Sequence, residues 1–258
     1  MKIISVANQK GGVGKTTTAM ALGAALAARG KRVLLIDLDP QGNLSSYLGF
    51  EPDGGATIHE LIAAGAAGRG IDAAGCIRRS ETEQLDYIPA TLALGDSDSA
   101  LQVAIGKERV LYRSLQAPVF AEYDYAVIDC RPALDNLTLN ALSASDTVIV
   151  PVQMQKFALD GLDALFNSMR MIKQLINPGL RFGGILRTMR DNTNMSESVD
   201  AYLLKHYGGD LYTTSIRRSV EAANSTAYQK SLVSYKNKLG LEYEAFAEEF
   251  LAQEGVVS

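Results

Sequence analysis

Residues 4–18 read ISVANQKGGVGKTTT, and the fold class turns on how this stretch is read. A phosphate-binding loop has the pattern G-x-x-x-x-G-K-[ST]. Anchored on Gly14-Lys15-Thr16, the pattern asks for glycine at position 9. The chain has Gln9 there, followed by a second lysine, Lys10. Context supplies what that first position withholds. Ile3–Ala7 reads as a strand and Thr16–Ala28 as an Ala-rich helix ended by Gly30. The glycines therefore fall where backbone N–H groups converge on anions at a helix N-terminus. Gly11, Gly12 and Gly14 allow the tight turn and a close backbone approach. Lys15 would reach the β- and γ-phosphates of a nucleotide, and Thr16 would offer its hydroxyl to Mg²⁺. Val13 completes the loop, and Thr17 would help hold the α-phosphate side. A plain glycine turn between strand and helix is the competing reading, and G-K-T in this context outweighs it.

Working outward, short β-branched runs alternate with longer helical patterns, which predicts a mostly parallel sheet with crossover helices. The expected strands are Lys2–Asn8, Arg32–Asp37, Leu85–Ile88, Tyr125–Asp129, Thr147–Val152, Phe182–Leu186 and a seventh at Leu211–Thr214. Their apolar runs are nearly continuous, as in strands covered on both faces. Helices are expected over Thr16–Ala28, Ile58–Ala64, Glu108–Leu115, Leu137–Ala144, Ala158–Ile176, Glu197–His206 and Leu241–Gln253. The last would bury a stripe of Leu241, Tyr243, Ala245, Phe246, Phe250 and Leu251. Pro52–Gly75 reads as a Gly/Ala-rich loop around one short helix. No repeat or linker divides the chain, so residues 1–258 are expected to form a single domain.

Two further stretches carry acids at strand ends. In VLLIDLDPQGN (Val33–Asn43), alternation sends Asp37 and Asp39 to the same side, at the sheet edge where ligands bind in open α/β folds. One can orient metal-bound water and the other position the water that attacks a γ-phosphate. A polar strand-to-loop transition is the bland alternative, and the upstream loop tips the balance against it. In YAVIDCRP (Tyr125–Pro132), Asp129 ends an apolar strand, the position of a second magnesium anchor.

The 258 residues are 47% hydrophobic and 21% charged with a formal net charge of −4, a globular composition not built as a whole to attract polyanions. The charge is uneven, however. Arg170–Lys238 holds eleven Lys and Arg against five Asp and Glu, which fits either a local polyanion-binding face or a scattered solvated surface. Two cysteines, Cys76 and Cys130, and two histidines leave too few ligands for a metal cluster and suggest a reducing compartment. No run reaches membrane-spanning length, and the chain enters a strand at once, so a cytoplasmic location is expected.

Together, KGGVGKT (Lys10–Thr16), DLDPQGN (Asp37–Asn43) and VIDCRPALDNLTLNAL (Val127–Leu142) resemble the ParA/MinD ATPases with the deviant Walker loop. The resemblance is strongest to short ParA- or Soj-type DNA-partitioning ATPases. It runs on through YIPATLAL (Tyr87–Leu94), VIVPVQMQKFALDGL (Val148–Leu162), GILRTMRDNTNMSESV (Gly184–Val199) and EYEAFAEEFL (Glu242–Leu251). It implies a single-domain P-loop NTPase with a twisted, mostly parallel sheet flanked by helices on both faces. It also implies ATP/ADP and Mg²⁺ as cofactors, and a homodimer with ATP sandwiched at its interface. Lys10 would reach across to the partner's phosphates, Asp39 would position the hydrolytic water, and Thr16, Asp37 and Asp129 would serve Mg²⁺. Hydrolysis would be weak alone and stimulated by a ParB-like centromere-binding partner. The ATP dimer would bind DNA non-specifically, associate with the nucleoid and segregate a plasmid, chromosome or mobile element. A nucleotide-gated scaffold for a protein cargo, without DNA binding, is the alternative.

Departures from the family pattern matter as well. Arg131-Pro132 replaces two prolines, and Arg131 could engage phosphates, pair with Asp135 or face solvent. Ile216-Arg217-Arg218 replaces I-P-R, which leaves the adenine contacts open. It adds to a candidate DNA patch of Arg187, Arg190, Arg217, Arg218, Lys230, Lys236 and Lys238, which would grip phosphates without reading bases. A solvated surface role competes for each of these residues. The stretch after Lys238 carries Glu242, Glu244, Glu248, Glu249 and Glu254 with no Lys or Arg, so no membrane anchor is expected there. Cys130 is read as core packing rather than a cluster ligand. No helix-turn-helix precedes the first strand, so operator binding is not expected.

Overall fold

Strands made of unbroken Ile, Val and Leu runs have no polar side to give to water, so they need cover above and below. The computed structural model describes residues 1–70, 72–155, 161–235 and 237–255. Among them, eight strands form one sheet: β1 (Lys2–Val6), β2 (Val33–Leu38), β3 (Arg78–Arg79), β4 (Asp86–Ile88), β5 (Tyr125–Cys130), β6 (Thr147–Gln153), β7 (Arg181–Arg190) and β8 (Leu211–Arg217). Their order is β3-β4-β2-β5-β1-β6-β7-β8, and only the short β3 runs antiparallel to its neighbour. β2 and β5 are buried at every residue.

The helices are α1 (Lys15–Ala28), α2 (Asn43–Tyr47), α3 (Ile58–Ala66), α4 (Ser97–Val103), α5 (Val110–Ser114), α6 (Asn136–Ala144), α7 (Leu162–Leu175), α8 (Asn194–Tyr207), α9 (Glu221–Ala227) and α10 (Lys238–Gln253). Strand alternation splits the core in two. Leu35 joins Leu22, Leu26 and Phe246 beneath α1 and α10. Leu34 and Ile36 join Ile62, Leu142 and Leu165 beneath α3, α6 and α7. The expected α/β class, a mostly parallel sheet covered on both faces, is what is found.

Differences from expectation have local causes. The helix expected from Ala158 is described only from Leu162, since residues 158–160 lie outside the described residues. α10 starts earlier, at Lys238, where the Asn237 side chain accepts from Gly240 N at 2.8 Å. It buries Leu239, Tyr243, Phe246, Ala247, Phe250 and Leu251, a helical repeat that turns Leu241 (54% exposed) and Ala245 outward. β8 runs on to Arg217 because α10 supplies acceptors along its open edge. Glu249 receives the N–H groups of Thr213 and Thr214, and Glu242 receives that of Arg217 at 2.8 Å. Two more acids of the same stretch pair with Arg29 and Arg181. The acidic C-terminal stretch thus closes a sheet edge, a liability when left open. No helix among the described residues is long and apolar enough to cross a membrane.

Candidate nucleotide-binding site

β1 stops at Val6, and the chain then turns through the glycine loop into α1. Buried Asn8 shapes that turn: its side chain donates to Pro151 O at 2.7 Å and accepts from Lys10 N at 3.0 Å. Gly12 (φ 73) and Gly14 (φ 87) sit in the left-handed region, which any side chain would strain. Gly14 caps α1 without a side-chain partner, leaving the first-turn N–H groups available to an anion. Lys15 is buried, and its Nζ donates to Lys10 O at 3.0 Å. Burial lowers its pKa, and the negative charge of Asp129 opposes that shift.

Asp37 and Asp129 are register partners on the adjacent strands β2 and β5. Asp37 accepts from Ser45 N (2.8 Å), Ser45 Oγ (2.7 Å) and Asp39 N (3.1 Å). Burial raises its pKa to about 6, against the pull of the Ser45 bonds. Asp129 is pushed well above the carboxylate range by burial and then by Asp37, while Thr16 and Lys15 pull it down. Its Oδ1 is buried with no hydrogen-bond partner among the described residues. An orphaned carboxylate oxygen, with a second carboxyl group and a hydroxyl as neighbours, is the donor set a hard cation seeks. The residues present therefore fit Mg²⁺, which keeps most of its waters and needs few protein ligands. Asp39 differs from Asp37. It lies past the strand end, half-exposed, in a turn closed by Gly42 N to Asp39 O at 2.9 Å.

Beside the loop, a cavity of about 150 Å³ is lined by Gly14, Thr17, Thr188, Met189, Ile216 and Leu239 among others. Thr188, which no sequence pattern distinguishes, donates to Val13 O at 2.8 Å and so ties β7 to the loop. Met189 next to it has φ 53, a strained conformation of the kind that clusters at ligand sites. Arg131 pairs with Asp135 at 2.7 Å, and Asp135 caps α6 through Thr138 N at 3.1 Å. That arginine is therefore used to pin a helix start.

Residues 1–182 match the family described as an AAA domain. The sporulation initiation inhibitor protein Soj of Bacillus subtilis (strain 168) is 42% identical over 236 residues, spanning 91% of both chains. The chain belongs to the ParA/Soj family of deviant-Walker ATPases. Among solved structures similar to this ParA/Soj chain is one from Mycobacterium smegmatis with bound ADP and magnesium, named a cobyrinic acid a,c-diamide synthase. It is 33% identical, with a TM-score of 0.85 over 99% of this chain and 96% of that one. A putative plasmid partition protein of Borrelia burgdorferi bound to AMPPNP is 30% identical, with a TM-score of 0.80 over 98% and 99% of the two chains.

The basic residues of this ParA/Soj protein do not form one set. Arg187 is 12% exposed, pairs with Asp200 at 2.8 Å and donates to Tyr212 O and Thr213 O, both at 2.9 Å. Its guanidinium is a strut between β7, β8 and α8, so it drops out of the candidate DNA face. Arg190, Arg217 and Arg218 instead line a cavity of about 380 Å³ together with Asp191 and Glu242. Arg217 pairs with Glu242 at 2.6 Å, while Arg218, 63% exposed, stands 4.0 Å from Asp191. Arg217 and Arg218 also border the cavity beside the phosphate loop. Lys230 and Lys238 are exposed, and Lys236 lies outside the described residues.

Proposed function

We propose that this chain is a Mg²⁺-dependent ATPase that dimerises around ATP, holds DNA non-specifically while ATP is bound, and partitions a plasmid, chromosome or mobile element. The observation that carries this reading is the setting of Lys10. Its N–H is fixed by Asn8 and its carbonyl by Lys15, and neither bond uses its ammonium. A fixed backbone, with an ammonium that makes no hydrogen bond or ion pair among the described residues, suits a residue that reaches a second subunit's phosphates. Lys15 and the loop N–H groups from Gly11 to Thr17 bind the nucleotide. Thr16, Asp37 and Asp129 hold the cation, which when bound offsets phosphate charge. Asp39, open and past the strand end, orients a water for attack. The cavity beside Gly14 and Met189 receives the base.

DNA is held by the cluster of Arg190, Arg217 and Arg218, with Lys230 and Lys238 beyond it. A ParB-like partner accelerates turnover and release. The deciding experiment measures retention of random-sequence duplex DNA by the full chain with Mg²⁺ and ATP, ADP or no nucleotide, alongside ATP turnover with and without DNA and a candidate partner. ATP-dependent retention that falls steeply with salt supports the reading. Turnover without any nucleotide-dependent retention would leave a protein-cargo scaffold in its place.

A further inference from the structure

The Ser45 bonds to Asp37 fix the first turn of α2, a short way beyond Asp39. Further along α2, buried Tyr47 leaves that neighbourhood altogether. Its hydroxyl donates to Ser225 Oγ at 2.6 Å and lies 3.4 Å from Lys230 O. Ser225, itself fully buried, passes the connection on by donating to Ala222 O at 2.9 Å. Ala222 lines the cavity beside the phosphate loop with Gly14 and Thr17. A parallel contact joins Gln229 Nε2 to Ser46 O at 3.4 Å, and Gln229 is held at φ 51. That left-handed residue ends α9 in a Schellman cap, with Lys230 N donating to Ser225 O at 3.0 Å and Gln229 N to Thr226 O at 3.1 Å, so the segment leaves the helix along a fixed path. Just past it, Glu83 accepts from Ser231 N at 2.8 Å and Ser234 Oγ at 3.0 Å, tethering the far side of the segment.

Packing alone does not call for the Tyr47 hydroxyl, since phenylalanine would fill the same core. The hydroxyl adds a fixed link between the carboxylate on the metal side of the site and the stretch 222–230, which ends in the exposed Lys230. We propose that Tyr47 is a positioning residue coupling the Asp37–Asp39 turn to the 222–230 segment, so that occupancy of the nucleotide site sets the geometry of the neighbouring basic face. A ligand drawing on Asp37 competes with Ser45 for its oxygens, shifts α2, and moves the segment through the Tyr47–Ser225 bond. The inference rests on the DNA-binding reading above. Coupling of this kind is measured as a ratio of affinities.

The test uses the full chain and labelled random-sequence duplex DNA, with affinity measured in Mg²⁺·ATP and in Mg²⁺·ADP. The wild type should prefer ATP, and Tyr47→Phe should cut the ATP-over-ADP ratio by about 10-fold, within the usual range of coupling. Ser225→Ala removes the other half of the bond, should give the same loss, and carries the test alone if Tyr47→Phe does not fold. The double variant should lose no more than either single one, as expected for one shared interaction. An unchanged ratio in a folded variant overturns the inference. So does an equal loss of affinity in ATP and ADP, which marks a purely structural role. A wild type with no ATP-dependent retention overturns the DNA reading, and this inference with it.

Discussion

Lys15 Nζ donates to the carbonyl oxygen of Lys10 at 3.0 Å, so the phosphate loop is closed upon itself by the lysine that would receive the nucleotide. The ammonium is buried and partly offset by Asp129, which leaves it poised to exchange a neutral carbonyl for a charged phosphate oxygen. Charge-assisted hydrogen bonds contribute about 1.5–3 kcal/mol each. Lys15→Ala should therefore weaken ATP binding by about 10- to 100-fold, measured by calorimetry, and abolish hydrolysis. Wild-type turnover in this variant would remove the basis for reading the loop as a nucleotide site.

Lys10 makes the opposite prediction about stability. Among the described residues its two hydrogen bonds use backbone atoms, so Lys10→Ala should keep the loop and change stability by less than about 0.5 kcal/mol. ATP-dependent dimerisation or turnover should nevertheless be lost. Thermal melts paired with turnover assays decide the matter. A large drop in Tm, or retained turnover by an ATP dimer, would show that the lysine serves the fold or nothing.

Asp39 should separate binding from hydrolysis. Its side chain is half-exposed and takes no part in the buried network of Asp37 with Ser45, to which Asp39 contributes only its backbone N–H. Asp39→Ala should keep nucleotide and DNA binding, lose turnover and accumulate an ATP dimer. A monomer at saturating ATP in size-exclusion chromatography would count heavily against that.

The parts of this site that depend on local order were readable from residues alone. Gly11, Gly12 and Gly14 between a strand and a helix announce a loop because glycine spacing, strand run and helix start lie within one short stretch. The two acids of DLD were not separable in that way. Alternation puts Asp37 and Asp39 on one side, yet β2 ends at Leu38 and the chain turns through Pro40, so of the two carboxylates only that of Asp37 enters the buried network. Arg187 and Arg218 look alike as letters. What distinguishes them is Asp200 on α8, brought beside Arg187 only by the fold. The glutamates of α10 likewise read as surface charge until β8 is seen to need acceptors along its edge. Thr188 had no sequence signal at all, because its role is a single long-range bond to Val13 O.

Asp37 predicts an unusual pH dependence. With its folded pKa raised to about 6 by burial, the carboxyl binds more protons in the folded than in the unfolded state. The apo protein should therefore lose stability as pH rises from the ordinary carboxylate range through about 6, and regain it on acidification back through that window. Asp37→Asn should remove much of that penalty and stabilise the apo protein at pH 7 by about 1–3 kcal/mol, while impairing Mg²⁺-dependent turnover. Urea titrations on either side of that window check the stability half, and turnover assays across a Mg²⁺ series check the other. If Asp37→Asn is instead less stable than wild type at neutral pH, the Ser45 bonds outweigh the cost of the buried charge.

The basic residues should divide by their partners rather than by their charge. Arg218 is largely exposed, with Asp191 no nearer than 4.0 Å, whereas Arg217 is held by Glu242 and Arg187 is enclosed by Asp200 and two carbonyls. Arg218→Glu should weaken ATP-dependent DNA retention and lower its salt dependence, with Tm nearly unchanged. Arg217→Glu should weaken retention too, but at a cost in stability, because it places a like charge against Glu242 beside the edge of β8. Arg187→Glu should mainly destabilise the fold, by about 3–5 kcal/mol, since it strands a nearly buried Asp200. Retention measured at two salt concentrations, alongside melts of the same three variants, separates these outcomes. Equal loss of DNA binding at all three positions, with equal stability, would place the contact surface across β7 and β8 and would contradict the strut assigned to Arg187.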